Sequence, residues 1–264
     1  MDGDGGAGAG AGGSAVGLTV FKAGGELLER PDAVCAAIAA NPGQSVFVHG
    51  GGAQLDVEAA KAGLLSERVA GRRITSPALV DLAVATWRGT ASVGWVLALA
   101  RHGVRSVGLC GADAGCLRAT RRPPVDVVDD DGALRRVDFG EVGDIASVDA
   151  GFLRALLPWA VPVVGPLALG DHGRLLNVNA DTVAAEIAVA LDADALVLWT
   201  GAPGLLADPT DPSSVLGVVD LAGIERALTS GSARGGMRPK LAAVEAALRR
   251  GVRSVVVGAT RFVP

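Results

Sequence analysis

Ser45-Val-Phe-Val-His-Gly-Gly-Gly-Ala-Gln54 is the stretch whose reading decides the fold. Residues 45–48 read as a short buried strand. Gly50, Gly51 and Gly52 follow, and residues 53–64 then carry Leu55, Ala59, Ala60 and Leu64 at helical spacing. A strand that runs through glycines into a helix start presents bare backbone N–H groups to an anion. Glycine also lets a ligand approach the main chain closely. Taken alone, such a loop reads first as a tight turn. Two lysines in glycine-flanked contexts, Lys22 and Lys240, give it more weight.

Outward from this stretch the pattern repeats. Residues 18–21 read as a first strand that runs at once into Lys22-Ala-Gly-Gly25. Further strands are predicted at 106–109, 161–164, 195–199 and 254–257, a short extended piece at 175–178, and a hairpin over 125–137 turning at Asp129-Asp-Asp-Gly132. Helices are predicted at 27–40, 77–101 (interrupted at Gly89), 148–157, 181–191, 220–229 and 239–250. Residues 66–75 are polar, 138–145 read as a further hairpin or loop, and 230–236 read as a glycine-rich loop. Short apolar strands alternating with helices predict an α/β fold, a three-layer α/β/α sandwich around a mainly parallel sheet, in two lobes. Ligands of such sheets sit beyond the carboxyl ends of the strands. Lys22, the three glycines, Gly111, Gly165 and Gly201 all fall there. Residues 1–17, rich in glycine and alanine, are expected to be disordered and lack the pattern of a signal peptide. Residues 18–173 would form an N-terminal lobe and 174–264 a C-terminal lobe, joined near 170–174.

Composition narrows the function. Half of the 264 residues are hydrophobic, enough for a sizeable core. The net charge is −4 and no basic tract stands out, which argues against nucleic acid or an anionic membrane as partner. Mean hydropathy is positive. No uncharged apolar run reaches membrane length, and residues 151–170 are broken by Arg154, Pro158, Pro162 and Pro166. Three cysteines, Cys35, Cys110 and Cys116, lack metal-ligand spacing and read as reduced thiols of a cytoplasmic protein. Cys110 and Cys116 lie in a glycine-rich loop and are expected to be partly exposed. Only three of the 24 basic residues are lysine, so a lysine here suggests a need for a compact, mobile point charge. The third, Lys61, reads as a solvated helix position.

Several chemistries are excluded. There is no G-x-x-x-x-G-K-[ST] loop, no strand-to-helix G-x-G-x-x-G and no G-x-S-x-G elbow. The histidines are scattered, and His49 reads as a structural hydrogen-bond donor. What is left is two lysines, the glycine loops and Asn177-Val-Asn-Ala-Asp181. That set suits phosphoryl transfer, where spreading negative charge must be neutralised and the reactants aligned. Two lysines could clamp the moving group, with Asp181 holding both ammonium groups. The lack of an obvious general base points to a carboxylate acceptor, which with a pKa of about 4 is already ionised at neutral pH.

The motifs Lys22-Ala-Gly-Gly25, Val48-His-Gly-Gly-Gly52, Gly71-Arg-Arg-Ile-Thr75, Leu176-Asn-Val-Asn-Ala-Asp181 and Gly235-Gly-Met-Arg-Pro-Lys240 stand in an order and spacing that resemble the amino acid kinase family, in particular its acetylglutamate kinases. The resemblance runs from about residue 18 to about 257. It implies ATP-dependent phosphorylation of the side-chain carboxylate of N-acetylglutamate, a step of arginine biosynthesis. The alternatives are a kinase for another N-acyl acidic amino acid (N-succinylglutamate or carrier-linked aminoadipate) and a non-catalytic sensing member. It implies that Lys22 and Lys240 stabilise the transition state and that Asp181 orients them. Gly24, Gly25, Gly51 and Gly52 would offer N–H groups to phosphate and acceptor. Arg73 and Asn177, with Asn179, would hold the amino-acid substrate, although either asparagine could cap the following helix. Gly201, Ala202, Pro203, Gly204, Leu205 and Leu206, with the loop carrying Ser232 and Arg234, would form the nucleotide pocket. Mg2+ would be held mainly by ATP phosphates and water. The first lobe would bind the acyl amino acid and the second ATP. Partners would be small molecules and a second copy in a homodimer. That dimer would be insensitive to arginine, because glycine costs roughly 1 kcal/mol per helical position and residues 1–17 cannot form the N-terminal helix of arginine-inhibited relatives. The chain departs from the family pattern at Gly201, where an aspartate usually follows the Thr or Ser, and after Gly89, where an asparagine and a lysine are usual. It also stops at Pro264, where relatives continue into another helix and an edge strand.

Overall fold

The computed structural model describes residues 17–69, 71–128, 133–229 and 237–264. The expectations for residues 1–16, for the turn at 129–132 and for the loop 230–236 lie outside the described residues.

An eight-stranded sheet forms the centre. Its spatial order is Val218–Val219, Thr260–Phe262, Ser254–Val257, Ala195–Trp199, Leu18–Ala23, Gln44–His49, Val161–Val164 and Ser106–Leu109. Every pairing is parallel except that between Ser254–Val257 and Thr260–Phe262. The first strand therefore lies inside the sheet, between Gln44–His49 and Ala195–Trp199. The register sets Lys22 beside both Val48 and Leu198, so the loops after these three strands leave from one edge.

Alternation along the strands sorts the two faces. Phe21, Ala23, Phe47 and Val163 pack with Val34, Ile38, Trp95 and Leu99 from helices Asp32–Ala40 and Ser92–Arg101. Val20, Val46, Val48, Leu196 and Leu198 pack on the other face with Val183, Ile187, Leu241 and Val244 from helices Ala180–Ala190 and Met237–Arg249. Lys22, between Phe21 and Ala23, thus points toward these last two helices.

Several expectations are corrected. Residues 27–40 are not one helix: a 3-10 turn, Gly25–Glu29, gives way to Asp32–Ala40. Pro31 lacks an N–H and disfavours helical geometry at the residue before it, and Arg30 has φ −137° and ψ 67°. Gly89 does not interrupt its helix, because a π-helical segment, Val84–Ala91, carries the backbone on into Ser92–Arg101. The polar stretch 66–75 contains a small ribbon, Arg68–Val69 with Arg72–Arg73. The end of the 138–145 stretch, from Gly143, and the unpredicted Leu117–Arg121 belong to a second, four-stranded sheet of Leu175–Asn177, Leu167–Leu169, Leu117–Arg121 and Gly143–Val148. Cys110 and Cys116 are buried, not partly exposed, and all three cysteines are free. Among the described residues, one helical stretch, Pro77–Arg101, is long and apolar enough to cross a membrane by length and composition. It carries Asp81 and Arg88 and buries Leu79, Trp87, Trp95 and Leu99 in the protein.

Trp95 is fully buried and meets Phe47 edge-to-face at 4.8 Å between ring centroids. Trp95→Ala should lower unfolding free energy by about 3–5 kcal/mol, read from urea midpoints. Trp95→Phe should cost less, since the indole N–H has no hydrogen-bond partner among the described residues.

Candidate active site

Three charged side chains meet beneath the sheet edge. Lys22 is the next-to-last residue of the first strand. Asp181 is the second residue of helix Ala180–Ala190, whose N-cap is Asn179: its side-chain oxygen accepts from the N–H of Asp181 at 2.9 Å and of Thr182 at 3.1 Å. Lys240 lies in the first turn of Met237–Arg249. Lys22 Nζ forms an ion pair with Asp181 Oδ1 at 2.7 Å, and Lys240 Nζ donates to Asp181 Oδ2 at 2.8 Å. The side chains of Lys22, Asp181 and Lys240 are 10, 9 and 8 % exposed. Burial pushes the Asp181 carboxyl up, but Lys22 and Lys240 outweigh it and hold the group below the usual carboxylate range. Burial pushes Lys240 down; Asp181 opposes that shift, and the neighbouring Lys22 adds to it. The trio carries a net charge of +1 and sits at a helix N-terminus, which favours an anion.

Above it the glycine loops lock together. Gly50 N–H donates to Ala23 O at 2.8 Å, and Gln54 Nε2 donates to Gly25 O at 2.6 Å. A Cβ on Gly25 would stand 2.8 Å from Gly51 Cα, so this approach requires glycine. Trp87 Nε1 donates to Gly51 O at 2.7 Å. His49 is fully buried, and its Nδ1–H donates to Gly50 O at 2.9 Å. Its pKa is lowered to about 4, by burial against the opposing effect of that bond. It is therefore a neutral loop-fixing donor, as its scattered context suggested.

A cavity of about 400 Å³ opens beside the loops. Gly51, Gly52, Arg73, Asn177 and Asn179 all line it, and it ends against Ala180, Thr182 and Pro239, chain neighbours of Asp181 and Lys240. Arg73 is buried. It donates to Gly52 O at 3.0 Å and also contacts Asp56 and Ser66. Asn177 Nδ2 donates to Thr75 Oγ1 at 3.0 Å. Gln54, Arg68, Trp87 and Arg122 were not singled out from the sequence. Arg68, Trp87 and Arg122 line the same cavity, while Gln54 ties the loops.

The second group of expected residues is more dispersed. Pro203 O accepts from Ala259 N–H, and Leu205 N–H donates to Thr260 Oγ1, each at 2.8 Å. Gly204, at φ 152°, packs on the same turn. Leu205 and Leu206 line a second cavity of about 520 Å³ with Val219, Ala227 and Val263. Gly201 faces open space, and Gly201 and Ala202 line neither cavity. Gly24 and Gly25 lie in the loop after the first strand. Ser232 and Arg234 are outside the described residues.

Removing the carboxylate would leave two buried ammonium groups facing each other. Asp181→Asn should therefore destabilise the fold by about 3–5 kcal/mol at pH 7. The folded pKa of Asp181 is depressed, so its contribution is full above the unfolded value of about 3.9 and is lost as pH falls through the folded value. Urea midpoints at pH 7 and pH 3 should show the gap between wild type and variant narrowing in acid.

Comparison with known proteins identifies the family. The amino acid kinase family model matches residues 17–259. The chain is 41 % identical over 245 residues to an acetylglutamate kinase of Myxococcus xanthus, covering 89 % of this chain and 79 % of that one. It is 37 % identical over 241 residues to an acetylglutamate kinase of Methanopyrus kandleri, covering 91 % and 94 %. The fold superposes with a TM-score of 0.75 on N-acetylglutamate synthase from Neisseria gonorrhoeae complexed with coenzyme A and N-acetyl-glutamate, at 23 % identity over 94 % of this chain and 59 % of that one. With its parallel sheet, its glycine loops and this extent of similarity, the chain belongs to the amino acid kinase family.

Proposed function

We propose that the protein transfers the γ-phosphoryl group of ATP to the side-chain carboxylate of N-acetyl-L-glutamate, giving ADP and the acyl phosphate. The observation that carries this reading is the buried Lys22–Asp181–Lys240 trio, whose Lys22 precedes by one residue Ala23, the strand end to which the glycine loop is tied by Gly50 N–H. Phosphoryl transfer spreads negative charge over the equatorial oxygens, and two ammonium groups fixed on one carboxylate match that charge without reorganising. Asp181 is a positioning residue in this scheme, since both its oxygens are already engaged by lysine. Backbone N–H groups of Gly24, Gly25, Gly51 and Gly52 would meet phosphate and acceptor oxygens. Arg73 would take the α-carboxylate, and Asn177 with Asn179 the acyl amide. Residues 18–173 would supply the amino-acid side. The loop from Gly201 to Leu206, with Ser232 and Arg234, would supply the nucleotide side.

Among the described residues no group of three His, Cys, Asp or Glu side chains is arranged to hold a metal ion. In the proposed reaction a magnesium ion would be carried mainly on ATP phosphates and water, where it would neutralise phosphate charge. The acyl phosphate needs no general base on the protein, because the acceptor arrives ionised. His49, neutral and bonded to Gly50 O, has no proton to give or take in this scheme near neutral pH.

A coupled ADP-release assay with N-acetyl-L-glutamate and Mg-ATP, with the product trapped by hydroxylamine as a hydroxamate, should show turnover. Absence of both signals would overturn the proposal. Lys240→Ala should lower kcat by about 100-fold or more with only a modest change in KM, because its charge is needed most in the transition state. A variant that keeps its turnover would remove Lys240 from that role.

A further inference from the structure

The cavity beside the glycine loops holds more positive charge than N-acetylglutamate uses, and the inference drawn from this surplus rests on the proposed function. Arg68, Arg72, Arg73 and Arg122 all line it. Arg68 and Arg73 share one carboxylate, Asp56: Arg68 Nη2 donates to it at 2.9 Å, and Arg73 contacts its other oxygen. Asp144 is held by Arg122, whose Nε lies 3.2 and 3.1 Å from the two carboxylate oxygens and whose Nη2 also contacts one of them. Arg72 makes no ion pair among the described residues and is exposed to the cavity mouth. The charged groups felt by its guanidinium are Arg122, which repels it, and Asp144, which attracts it. The acid that lines the cavity, Glu186, is taken by Arg250 at 2.6 Å. Four guanidinium groups thus face two carboxylates, which leaves two unmatched charges.

The proposed substrate accounts for one of them. Its side-chain carboxylate goes to the loops and the lysines, and its α-carboxylate goes to Arg73. An acetyl methyl offers nothing to a guanidinium. We infer that, beyond N-acetyl-L-glutamate, the cavity also takes N-acyl acidic amino acids whose acyl arm carries an anionic group of its own, and binds them more tightly because Arg72, backed by Arg122, receives that group. A planar guanidinium matches a carboxylate through two parallel N–H bonds, which a free rotor such as lysine does not reproduce. The ribbon supplies Arg72, and Arg122 directly follows strand Leu117–Arg121 of the second sheet, whereas Lys22, Asp181 and Lys240 come from the main sheet and its helices. Acyl selection and phosphoryl transfer would then rest on different structural parts.

N-acetyl-L-glutamate and N-succinyl-L-glutamate differ at the acyl end by one carboxymethyl extension, so they form the test pair. Titration calorimetry on the full chain should show N-succinyl-L-glutamate binding about tenfold or more tightly than N-acetyl-L-glutamate. In Arg72→Gln the two affinities should converge, and Arg72→Lys should recover only part of the preference. Circular dichroism melting of both variants checks that they fold; the exposed position of Arg72 makes loss of folding no obstacle. Equal affinities in the wild type, or a preference that survives Arg72→Gln, would overturn the inference, as would failure of both compounds to bind. Turnover is measured separately. A succinyl preference that depends on Arg72, without ADP release from either compound, leaves the acyl site standing and removes the kinase reading. Turnover of N-acetyl-L-glutamate without such a preference does the reverse.

Discussion

Two ammonium groups share one buried carboxylate, and much of the architecture serves to make that arrangement tolerable. Like charges repel strongly where water is scarce, so Lys22 and Lys240 could not sit together in a nearly dry site without a negative charge between them. Each partner arrives by a different local device. Strand alternation turns Lys22 toward the helices, the Asn179 cap fixes the turn that carries Asp181, and packing of Met237–Arg249 in the core holds Lys240 in place. The arrangement is electrostatically incomplete by one negative charge, which is the property that the proposed phosphoryl transfer would use.

Much of this could be read from the residues because it depends on local rules. The apolar run before Gly50 reads as a buried strand, and it is one; the glycines after it lead into a helix that begins at Gly52. The strands at 106–109, 161–164, 195–199 and 254–257 coincide with those observed, because each is a short apolar run bounded by turn residues. Leu117–Arg121 escaped notice because only Leu117 and Ala119 are buried and the rest is charged or polar. Its identity as a strand comes from pairing with Gly143–Val148, which no local window contains. Trp87 looked like an ordinary apolar helix residue. Only the π-helical segment and the tertiary approach of Gly51 make it a donor to the loop. Arg122 gave no signal either, being one of many arginines.

The two sheets divide the work. The eight-stranded sheet is buried on both faces and brings glycine loops to one edge with little freedom, since Gly50 is tied to Ala23 and Gly25 to Gln54. The second sheet and the ribbon are more polar and carry the arginines at the cavity mouth. Under the proposed function, such a site could alter what it admits by changing surface residues while the end formed by the glycine loops stays fixed by the core.

The position of the first strand has a consequence for biosynthesis. Leu18–Ala23 pairs on one side with Gln44–His49, available almost as soon as it is made, but on the other with Ala195–Trp199. At ribosomal speeds of about 5–20 residues per second, the nascent chain waits roughly ten to thirty seconds with one backbone edge of its central strand unpaired. That open edge is a template for wrong partners. The protein is therefore most vulnerable to aggregation while it is being translated, when chaperone protection of the nascent chain would count most.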